Sequence, residues 1–221
     1  MTDLTCIFLT VNRVPWMRFH NEKMLEAIGA YPLITISREQ VDGLPGIQLR
    51  KDGEQSHHNI FMHMLRGAKI ATTPYIGLIE DDILYSDDHF HLRPSLDAVG
   101  FNWNRWSLFT FGEPTYSFKR RICGGASILP RQLLIDALEE RFAKWPNGIP
   151  HHLNGEIGYD IVDKNLGVTV RKHEILYSST PIVQIHHIYG TPGMSHKPGE
   201  NDTTDQAVRF TRKRMGMKRA Y

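Results

Sequence analysis

Residues 72–85 have the sequence TTPYIGLIEDDILY, in which a short apolar run ends in three consecutive acids at positions 80–82. Pro74 keeps a preceding helix from continuing into the run, because proline lacks the amide hydrogen that a helix interior uses. The run is therefore predicted to be a buried strand with carboxylates at its carboxyl end. In open α/β sheets ligands bind at that end, and three neighbouring negative charges there need a cation or several hydrogen-bond donors. An acidic turn in water is the alternative interpretation.

Length and composition predict one core with short appendages, since the chain has 221 residues and is 41% hydrophobic. Two cysteines are too few for a disulfide framework, which favours a reducing compartment. No apolar stretch approaches the roughly 20 residues that a membrane span requires, and the first residues do not form a secretory signal. We therefore expect a soluble, cytoplasmic protein with no membrane span.

The charge is unevenly distributed along the chain. The net charge is +2, and six of the 26 basic residues lie in the segment 209–221, which contains no acid. We therefore separate a domain of residues 1–208 from a basic C-terminal tail of residues 209–221. The tail favours an anionic partner such as nucleic acid, phospholipid head groups or an acidic polysaccharide, and a solvated terminal helix is the alternative.

Apolar periodicity predicts alternating strands and helices, which is typical of an α/β domain with a mostly parallel central sheet flanked by helices. The predicted strands are 5–11, 32–37, the apolar run after Pro74, 47–49, 106–111, a strand ending at Pro130, 168–170 and 182–185. The predicted helices are 21–29, one that starts at Ser56 and ends before Pro74, 130–146 and 154–167. The stretch 91–104 is expected to be helical or irregular.

The loop after the first strand is predicted to lie at the ligand edge of the sheet. Asn12 and Arg13 are therefore candidates for contacting a nucleotide base or phosphate, with ordinary loop residues as the alternative. Asn59, near the start of the helix that begins at Ser56, is a further candidate for reaching a bound ligand.

The order of helix, small-residue turn, apolar strand and Glu80-Asp81-Asp82 resembles the nucleotide-sugar-binding half of GT-A-fold glycosyltransferases, over about residues 4–90. In that family a D-x-D motif closes the strand, and here a glutamate replaces its first aspartate. The resemblance implies a GT-A-like (Rossmann-like) fold, with Glu80 facing the ribose or nucleotide and Asp82 holding Mn²⁺ or Mg²⁺ on the diphosphate of a nucleotide sugar, a UDP-sugar being expected first. The candidate nucleotide-binding residues are Thr10, Asn12, Arg13, Ser37, Asn59, Glu80 and Asp81.

The segment 154–167 is predicted to be a helix with Glu156, Asp160 and Asp163 spaced to share one face. Three acids on an exposed face are most often solvated. The resemblance implies that one of them, Glu156 or Asp160, is the general base of an inverting enzyme. We give Asp160 a slight preference, since its apolar and aromatic neighbours are expected to raise the pKa of its carboxyl group.

A pair of histidines, His186 and His187, follows the last predicted strand. The resemblance implies that a late histidine completes the metal site, and His196 is a third candidate for that role. Adjacent residues of a strand point to opposite faces, so at most one of the pair is expected to face the ion. Two ordinary histidines at the end of a strand are the alternative.

The sequence thus predicts a metal-dependent glycosyltransferase (hexosyl- or pentosyltransferase) that transfers a sugar to an acceptor hydroxyl with inversion, its donor half at about 1–90 and its acceptor half at about 91–208. A nucleotidyltransferase is one alternative, although the glycine- and lysine-rich phosphate loop usual in such enzymes is missing after the first strand. A non-catalytic nucleic-acid-binding module is another. The acceptor is unknown, and hydroxymethylated DNA would reconcile the enzyme with the basic tail.

Overall fold

The structure is a computed structural model that describes residues 2–12, 14–50, 53, 56–110, 115–118, 120–187 and 218–219. Its strands are β1 (Leu4–Leu9), β2 (Leu33–Ser37), β3 (Ile47–Arg50), β4 (Tyr75–Glu80), β5 (Ile83–Leu84), β6 (Ala98–Asn102), β7 (Arg105–Phe109), β8 (Thr115–Phe118), β9 (Ser127–Pro130), β10 (Lys172–Leu176), β11 (Ile182–His186) and β12 (Lys218–Arg219). Its α-helices are α1 (Met17–Ile28), α2 (His57–Ile70), α3 (Arg131–Lys144) and α4 (Asp160–Leu166).

The central sheet has seven strands in the order β10-β6-β9-β4-β1-β2-β3. Strands β3, β2, β1 and β4 are parallel neighbours, as are β6 and β10, while β9 runs antiparallel between β4 and β6. The prediction of an α/β domain with a mostly parallel central sheet is therefore confirmed.

The middle of the central sheet is buried on both faces, and alternate residues of β1 enter two different cores. Ile7 packs into the cluster that includes side chains of α2 and α3. Cys6 and Phe8 point the other way, into the cluster that includes Met24 and Ile28 of α1. Strands buried on both faces read as continuous apolar runs, which is why β1 and β4 were recognisable in the sequence.

A second sheet of five strands, in the order β12-β8-β7-β11-β5, lies beside the acids. Its strand β5 begins at Ile83, directly after the acids at 80–82, and pairs antiparallel with β11. The pairing is continued by β7, which is parallel to β11, and by the hairpin of β7 and β8. The second sheet therefore connects the end of β4 to the segment that carries His186.

Several predicted boundaries are wrong. Helix α1 begins at Met17 with Trp16 as its N-cap residue, and Asn21 lies inside it. The stretch expected to be helical or irregular contains β6, and the strand expected at 168–170 lies instead at Lys172–Leu176. These are short segments whose conformation depends on pairing with strands distant in sequence, which local periodicity does not report. The division of the chain at residue 90 and at residue 208 stays a prediction.

Candidate active site

The parallel pairing of β1 with β4 brings two of the predicted site residues together. Leu9 pairs with Glu80, so the next residue of each strand, Thr10 and Asp81, leaves the same edge of the sheet. The Thr10 hydroxyl donates a hydrogen bond to Asp81 Oδ2 at 2.5 Å, and the same hydroxyl oxygen accepts from the Asn12 amide at 2.8 Å. Asn12 has a positive φ of 55°, a conformation that asparagine tolerates better than most residues. The predicted ligand edge is thus a short polar turn fixed to the acids.

The backbone carbonyls of the acidic turn, residues 80–83, are all engaged by donors from other segments. His20 Nε2 lies 3.0 Å from the Glu80 carbonyl and 3.1 Å from the Ile83 carbonyl. The Trp16 indole donates to the carbonyl of residue 81 at 3.1 Å, and the amide of residue 185 donates to the carbonyl of residue 82 at 2.6 Å. These contacts fix the directions in which the three acid side chains leave the turn.

The carboxyl group of Glu80 packs against Gly125, where a Cβ would come within 2.6 Å of its carboxyl carbon. Only glycine therefore fits beside this carboxyl group without a shift. The Glu80 amide donates to the Tyr85 hydroxyl at 3.0 Å, and that hydroxyl donates to the Gly125 carbonyl at 2.7 Å. Burial, followed by the charges of Asp82 and Glu156, raises the pKa of Glu80 well above its usual range.

Glu156 lies at the neighbouring glycine. A Cβ on Gly124 would come within 2.5 Å of Glu156 Oε2, so consecutive glycines accommodate the two glutamates. Burial raises the pKa of Glu156, opposed by a hydrogen bond from the Gly124 backbone and by the charge of Arg141. Arg141 also donates to the backbone carbonyl of Glu156 at 3.2 Å and to that of Gly155 at 2.9 Å, which fixes the loop that carries the carboxyl group.

Asp82 is connected to a buried arginine through one amide side chain. Gln184 Nε2 donates to Asp82 Oδ2 at 3.4 Å, and Arg105 donates to Gln184 Oε1. Arg105 is fully buried, and its charge lowers the pKa values of Glu80, Asp82 and Glu156. The larger effects on Asp82 are burial and the charge of Asp81, which raise its pKa to about 7. Asp82 Oδ1 is buried without a hydrogen-bond partner among the described residues.

The two adjacent histidines have different neighbours, in agreement with opposite orientations on a strand. His186 stacks on Phe109 with ring centroids 4.3 Å apart, and its Nε2 lies 2.9 Å from the Ser107 hydroxyl. His187 packs edge-on against Trp16 at 4.9 Å, and Trp16 in turn bonds the backbone of the acidic turn. Burial lowers the pKa of His187, and the charge of Asp81 opposes that shift. The described contacts of His187 thus lead to the acidic turn.

The expected environment of Asp160 is wrong. Its side chain is 44% exposed and pairs with Lys164 at 3.1 Å. The hydrogen bond and charge of Lys164 lower the pKa of Asp160, whereas a raised pKa was expected. The shared helical face is also wrong, because α4 begins at residue 160 and Glu156 lies in the loop before it. Asp163 is buried in an ion pair with Arg141.

The remaining predicted residues are dispersed. Ser37, at the carboxyl end of β2, is buried and donates to the Glu39 carbonyl. Asn59 lies in the first turn of α2, where its backbone amide donates to the hydroxyl oxygen of the N-cap residue Ser56 at 3.2 Å. Arg13 and His196 lie outside the described residues.

Sequence reasoning missed the residues that support the acids: Trp16, His20, Tyr85, Arg105 and Gln184. One signal was present, since Trp16, the N-cap residue of α1, and His20 are four residues apart, a spacing that places two side chains on the same side of a helix. The others come from the second sheet or its connections, and their proximity to the acids arises only on folding.

Two negative findings concern the described part of the chain. It contains no group of three or more His, Cys, Asp or Glu side chains arranged to hold a metal ion. Among its helices, none is long and apolar enough to cross a membrane.

Comparison with known proteins identifies the fold through structure alone. No protein-family model and no curated protein sequence matches the chain. A mannosyltransferase from Pyrobaculum calidifontis, solved with GDP-Man and Mn²⁺, superposes with a TM-score of 0.52 at 13% identity, over 86% of this chain and 58% of the mannosyltransferase. A 2-C-methyl-D-erythritol 4-phosphate cytidylyltransferase from Thermus thermophilus superposes with a TM-score of 0.50 at 11% identity, over 84% of this chain and 94% of that one.

These similarities and the topology of the central sheet define a GT-A-like, Rossmann-like α/β fold, as the sequence predicted. This chain spans little more than half of the mannosyltransferase. A common fold hosts different chemistries, so the function has to be argued from the acids and their surroundings.

Proposed function

We propose that this protein is a metal-dependent glycosyltransferase that moves a sugar from a nucleotide-sugar donor to an acceptor hydroxyl with inversion. The observation that supports the proposal most is the meeting of the acidic turn with Glu156 at the carboxyl edge of β1 and β4. The fold is shared with a mannosyltransferase that was solved with GDP-Man and Mn²⁺. Four carboxyl groups in one partly desolvated region need a cationic partner, which an activated sugar diphosphate brings with its metal.

The donor side of the proposed site consists of Asp81, Asp82 and His187. The residues fit Mn²⁺ or Mg²⁺, since the buried Oδ1 of Asp82 has no hydrogen-bond partner among the described residues and these cations prefer oxygen ligands. A cation held mainly by a diphosphate requires only one or two protein carboxylates. When bound, the metal supplies stabilisation of the charge that develops on the departing diphosphate. Asp81 is oriented for this role by Thr10.

Glu156 is the proposed general base. Its carboxyl group is in a partly desolvated position, its pKa is raised, and its loop is fixed by Arg141. A carboxylate with a raised pKa accepts the proton of an acceptor hydroxyl more readily at neutral pH than an ordinary carboxylate does. Glu156 Oε2 would take that proton as the hydroxyl oxygen attacks the anomeric carbon. Asp160, exposed and paired with Lys164, has the opposite electrostatic environment.

The donor is tested first by thermal unfolding against a panel of nucleoside diphosphates, each with and without Mn²⁺. A ligand at about 100 times its Kd stabilises the folded state by about 2.7 kcal/mol. In a chain of this size that corresponds to a rise in Tm of about 5–10 °C. UDP is expected to give the metal-dependent rise in Tm, and GDP is the second candidate. Asp82→Asn should abolish the metal-dependent part of the rise, and an undiminished rise in this variant would contradict the assigned metal role.

The reaction class is tested by following products. A glycosyltransferase releases a nucleoside diphosphate from a nucleotide sugar, slowly even with water as acceptor. Glu156→Gln should lower transfer by about 100-fold or more, since general acid–base catalysis contributes roughly that factor. Asp160→Asn should retain transfer. If instead Asp160→Asn lost transfer and Glu156→Gln retained it, Asp160 would be the base.

A nucleotidyltransferase is the second candidate because a cytidylyltransferase shares the fold. Such an enzyme would release pyrophosphate from a nucleoside triphosphate in the presence of a sugar phosphate. Pyrophosphate release without any release of nucleoside diphosphate from nucleotide sugars would replace the proposal with this alternative.

A further inference from the structure

Gln184 lies between the acidic turn and a buried arginine, and the proposed reaction gives it no role. It is the middle residue of β11, where it pairs with Ile83 of β5 on one side and with Ser107 of β7 on the other. The next residue, Ile185, donates its amide hydrogen to the Asp82 carbonyl at 2.6 Å. The strand pairing therefore fixes the backbone of Gln184 beside that of Asp82.

The orientation of the Gln184 side-chain amide is determined by the groups around its oxygen. Arg105 Nη1 donates to Gln184 Oε1, and the Cys123 thiol lies 4.0 Å from the same oxygen as a second, weaker donor. An arginine side chain has N–H donors and no acceptor. Turning the amide over would place its N–H groups against the guanidinium and its oxygen against the Asp82 carboxyl group. The amide nitrogen is therefore the end that faces Asp82.

Arg105 is itself held in a fixed position, so it provides a constant reference for that amide. It is fully buried on β7, the strand that pairs with β11. Its other terminal nitrogen, Nη2, donates to the backbone carbonyl of Arg121 at 3.2 Å. A buried guanidinium that lost Gln184 Oε1 would leave a donor unpaired, which costs free energy. Both ends of the guanidinium thus favour the observed arrangement.

The two oxygens of the Asp82 carboxyl group consequently have different surroundings. Oδ2 accepts a hydrogen bond from Gln184 Nε2 at 3.4 Å. Oδ1 is buried and has no hydrogen-bond partner within the described part of the chain. A buried carboxylate oxygen without a partner is unfavourable, and a divalent cation is a partner that would offset this cost. The contacts of Gln184 therefore leave one of the two oxygens for a cation.

We infer that Gln184 is a positioning residue of the proposed metal site, which holds Oδ2 of Asp82 through its amide nitrogen and leaves Oδ1 for the cation. Arg105 sets the orientation of that amide. A ligand oriented by a hydrogen bond binds metal better, and loss of such a partner commonly lowers metal affinity by about 10–100-fold. The inference rests on the proposed function, because it requires that Asp82 binds a cation.

The first test titrates Mn²⁺ into the full chain, alone and with UDP or GDP present, and follows the melting temperature. Gln184→Met removes the amide and keeps a side chain of similar length. It should raise the Mn²⁺ concentration that gives half of the metal-dependent rise in Tm by about tenfold. The matched control is Gln48→Met, which removes another half-buried strand amide, bonded to the backbone of Val41 and Leu44. This control should respond to Mn²⁺ like the parent protein.

The second test needs no metal and examines the contact between the two side chains by a double-variant cycle in EDTA. Gln184→Glu keeps an oxygen for Arg105 but replaces the donor that faces Asp82 by a carboxylate oxygen, so that the two acids repel each other. Asp82→Asn removes the repulsion. Asp82→Asn should therefore change Tm more favourably in the Gln184→Glu variant than in the parent, by about 2 °C or more, as expected for side chains in contact.

The double variant Asp82→Asn/Gln184→Glu exchanges the positions of the carboxylate and the amide. It should be more stable than Gln184→Glu alone, because the hydrogen bond between the two side chains is restored with its direction reversed. Its metal-dependent rise in Tm should nevertheless be lost, since its carboxylate lies at position 184 and pairs with Arg105. The double variant therefore separates a folded site from a site that binds metal.

The outcomes distinguish this inference from the proposed function. If Mn²⁺ stabilises the parent and Gln184→Met to the same extent at the same concentrations, Gln184 does not position Asp82, and the proposed function is unaffected. Additive effects in the cycle would show that the amide does not face Asp82. A loss of Mn²⁺ response in Gln48→Met equal to that in Gln184→Met would show a general effect of destabilisation. If Mn²⁺ does not stabilise the parent under any of the three conditions, the proposed metal and this inference are both wrong.

Discussion

Replacing Arg141 by methionine should destabilise the protein strongly, because the arginine is half of a fully buried ion pair. The side chains of Arg141 and Asp163 are both 0% exposed and meet at 2.9 Å. Arg141 also donates to the carbonyls of Gly155 and Glu156, and its guanidinium carbon lies 5.4 Å from the centre of the Phe61 ring. Methionine fills part of the arginine volume but donates no hydrogen bond.

The expected cost follows from what the substitution leaves behind. The Asp163 carboxyl group would be left in the interior, where its remaining donors among the described residues are the backbone amides of residues 158 and 171. Breaking a buried pair on one side costs about 3–5 kcal/mol, chiefly because the remaining charge is uncompensated. In a chain of this size the loss corresponds to a fall in Tm of roughly 6–20 °C.

The assay is urea unfolding of the parent and three variants. Arg171→Met is the matched control, since its ion pair with Glu140 is similarly short at 2.7 Å but has side-chain exposures of 11% and 35%. A pair with that access to water contributes about 1 kcal/mol or less. The double variant Arg141→Met/Asp163→Asn removes the stranded charge and should recover part of the loss. Equal costs for Arg141→Met and Arg171→Met, or no recovery in the double variant, would refute the reasoning.

Three further predictions concern buried polar groups near the acids. Burial lowers the pKa of His89 from 6.5 to about 3, so between these pH values the unfolded chain binds a proton that the folded protein does not. Stability should therefore fall as the pH is lowered through this window, by up to about 1.4 kcal/mol per pH unit. His89→Phe should flatten that slope in urea unfolding between pH 6 and pH 4, and a slope equal to the parent's would count against the prediction. Tyr85→Phe leaves the Glu80 amide and the Gly125 carbonyl without their partner, at an expected cost of about 1–3 kcal/mol in the same assay, and a cost near zero would contradict the assigned hydrogen bonds. Gly125→Ala forces a methyl group to within 2.6 Å of the Glu80 carboxyl group, so we expect a loss of about 1–3 kcal/mol together with weaker metal-dependent stabilisation by nucleoside diphosphate, and unchanged values for both would show that the carboxyl group is free to move.

The local sequence was sufficient for the elements that are buried on both faces. The apolar run after Pro74 and the run at 5–9 form β4 and β1, because a doubly buried strand needs nothing but apolar residues between turn signals. The acids at 80–82 follow β4 as expected, since a strand's direction fixes which of its ends carries them. Sequence reasoning fails at β6 and β10. These short segments form strands because they pair with each other, and the local sequence does not show that pairing.

The sequence by itself determined that this protein is an α/β domain with acids at the carboxyl end of a central strand, because proline, apolar runs and turn residues act within a few positions of one another. Only the tertiary structure shows that Glu156 and Asp160 have different surroundings, and that His187 and His186 do as well. The members of each pair differ in burial and in the charges near them. These two effects arise largely from segments that are distant in the sequence. Arg141, in the preceding helix α3, holds the loop of Glu156 in the interior, whereas Asp160 turns to water and to Lys164.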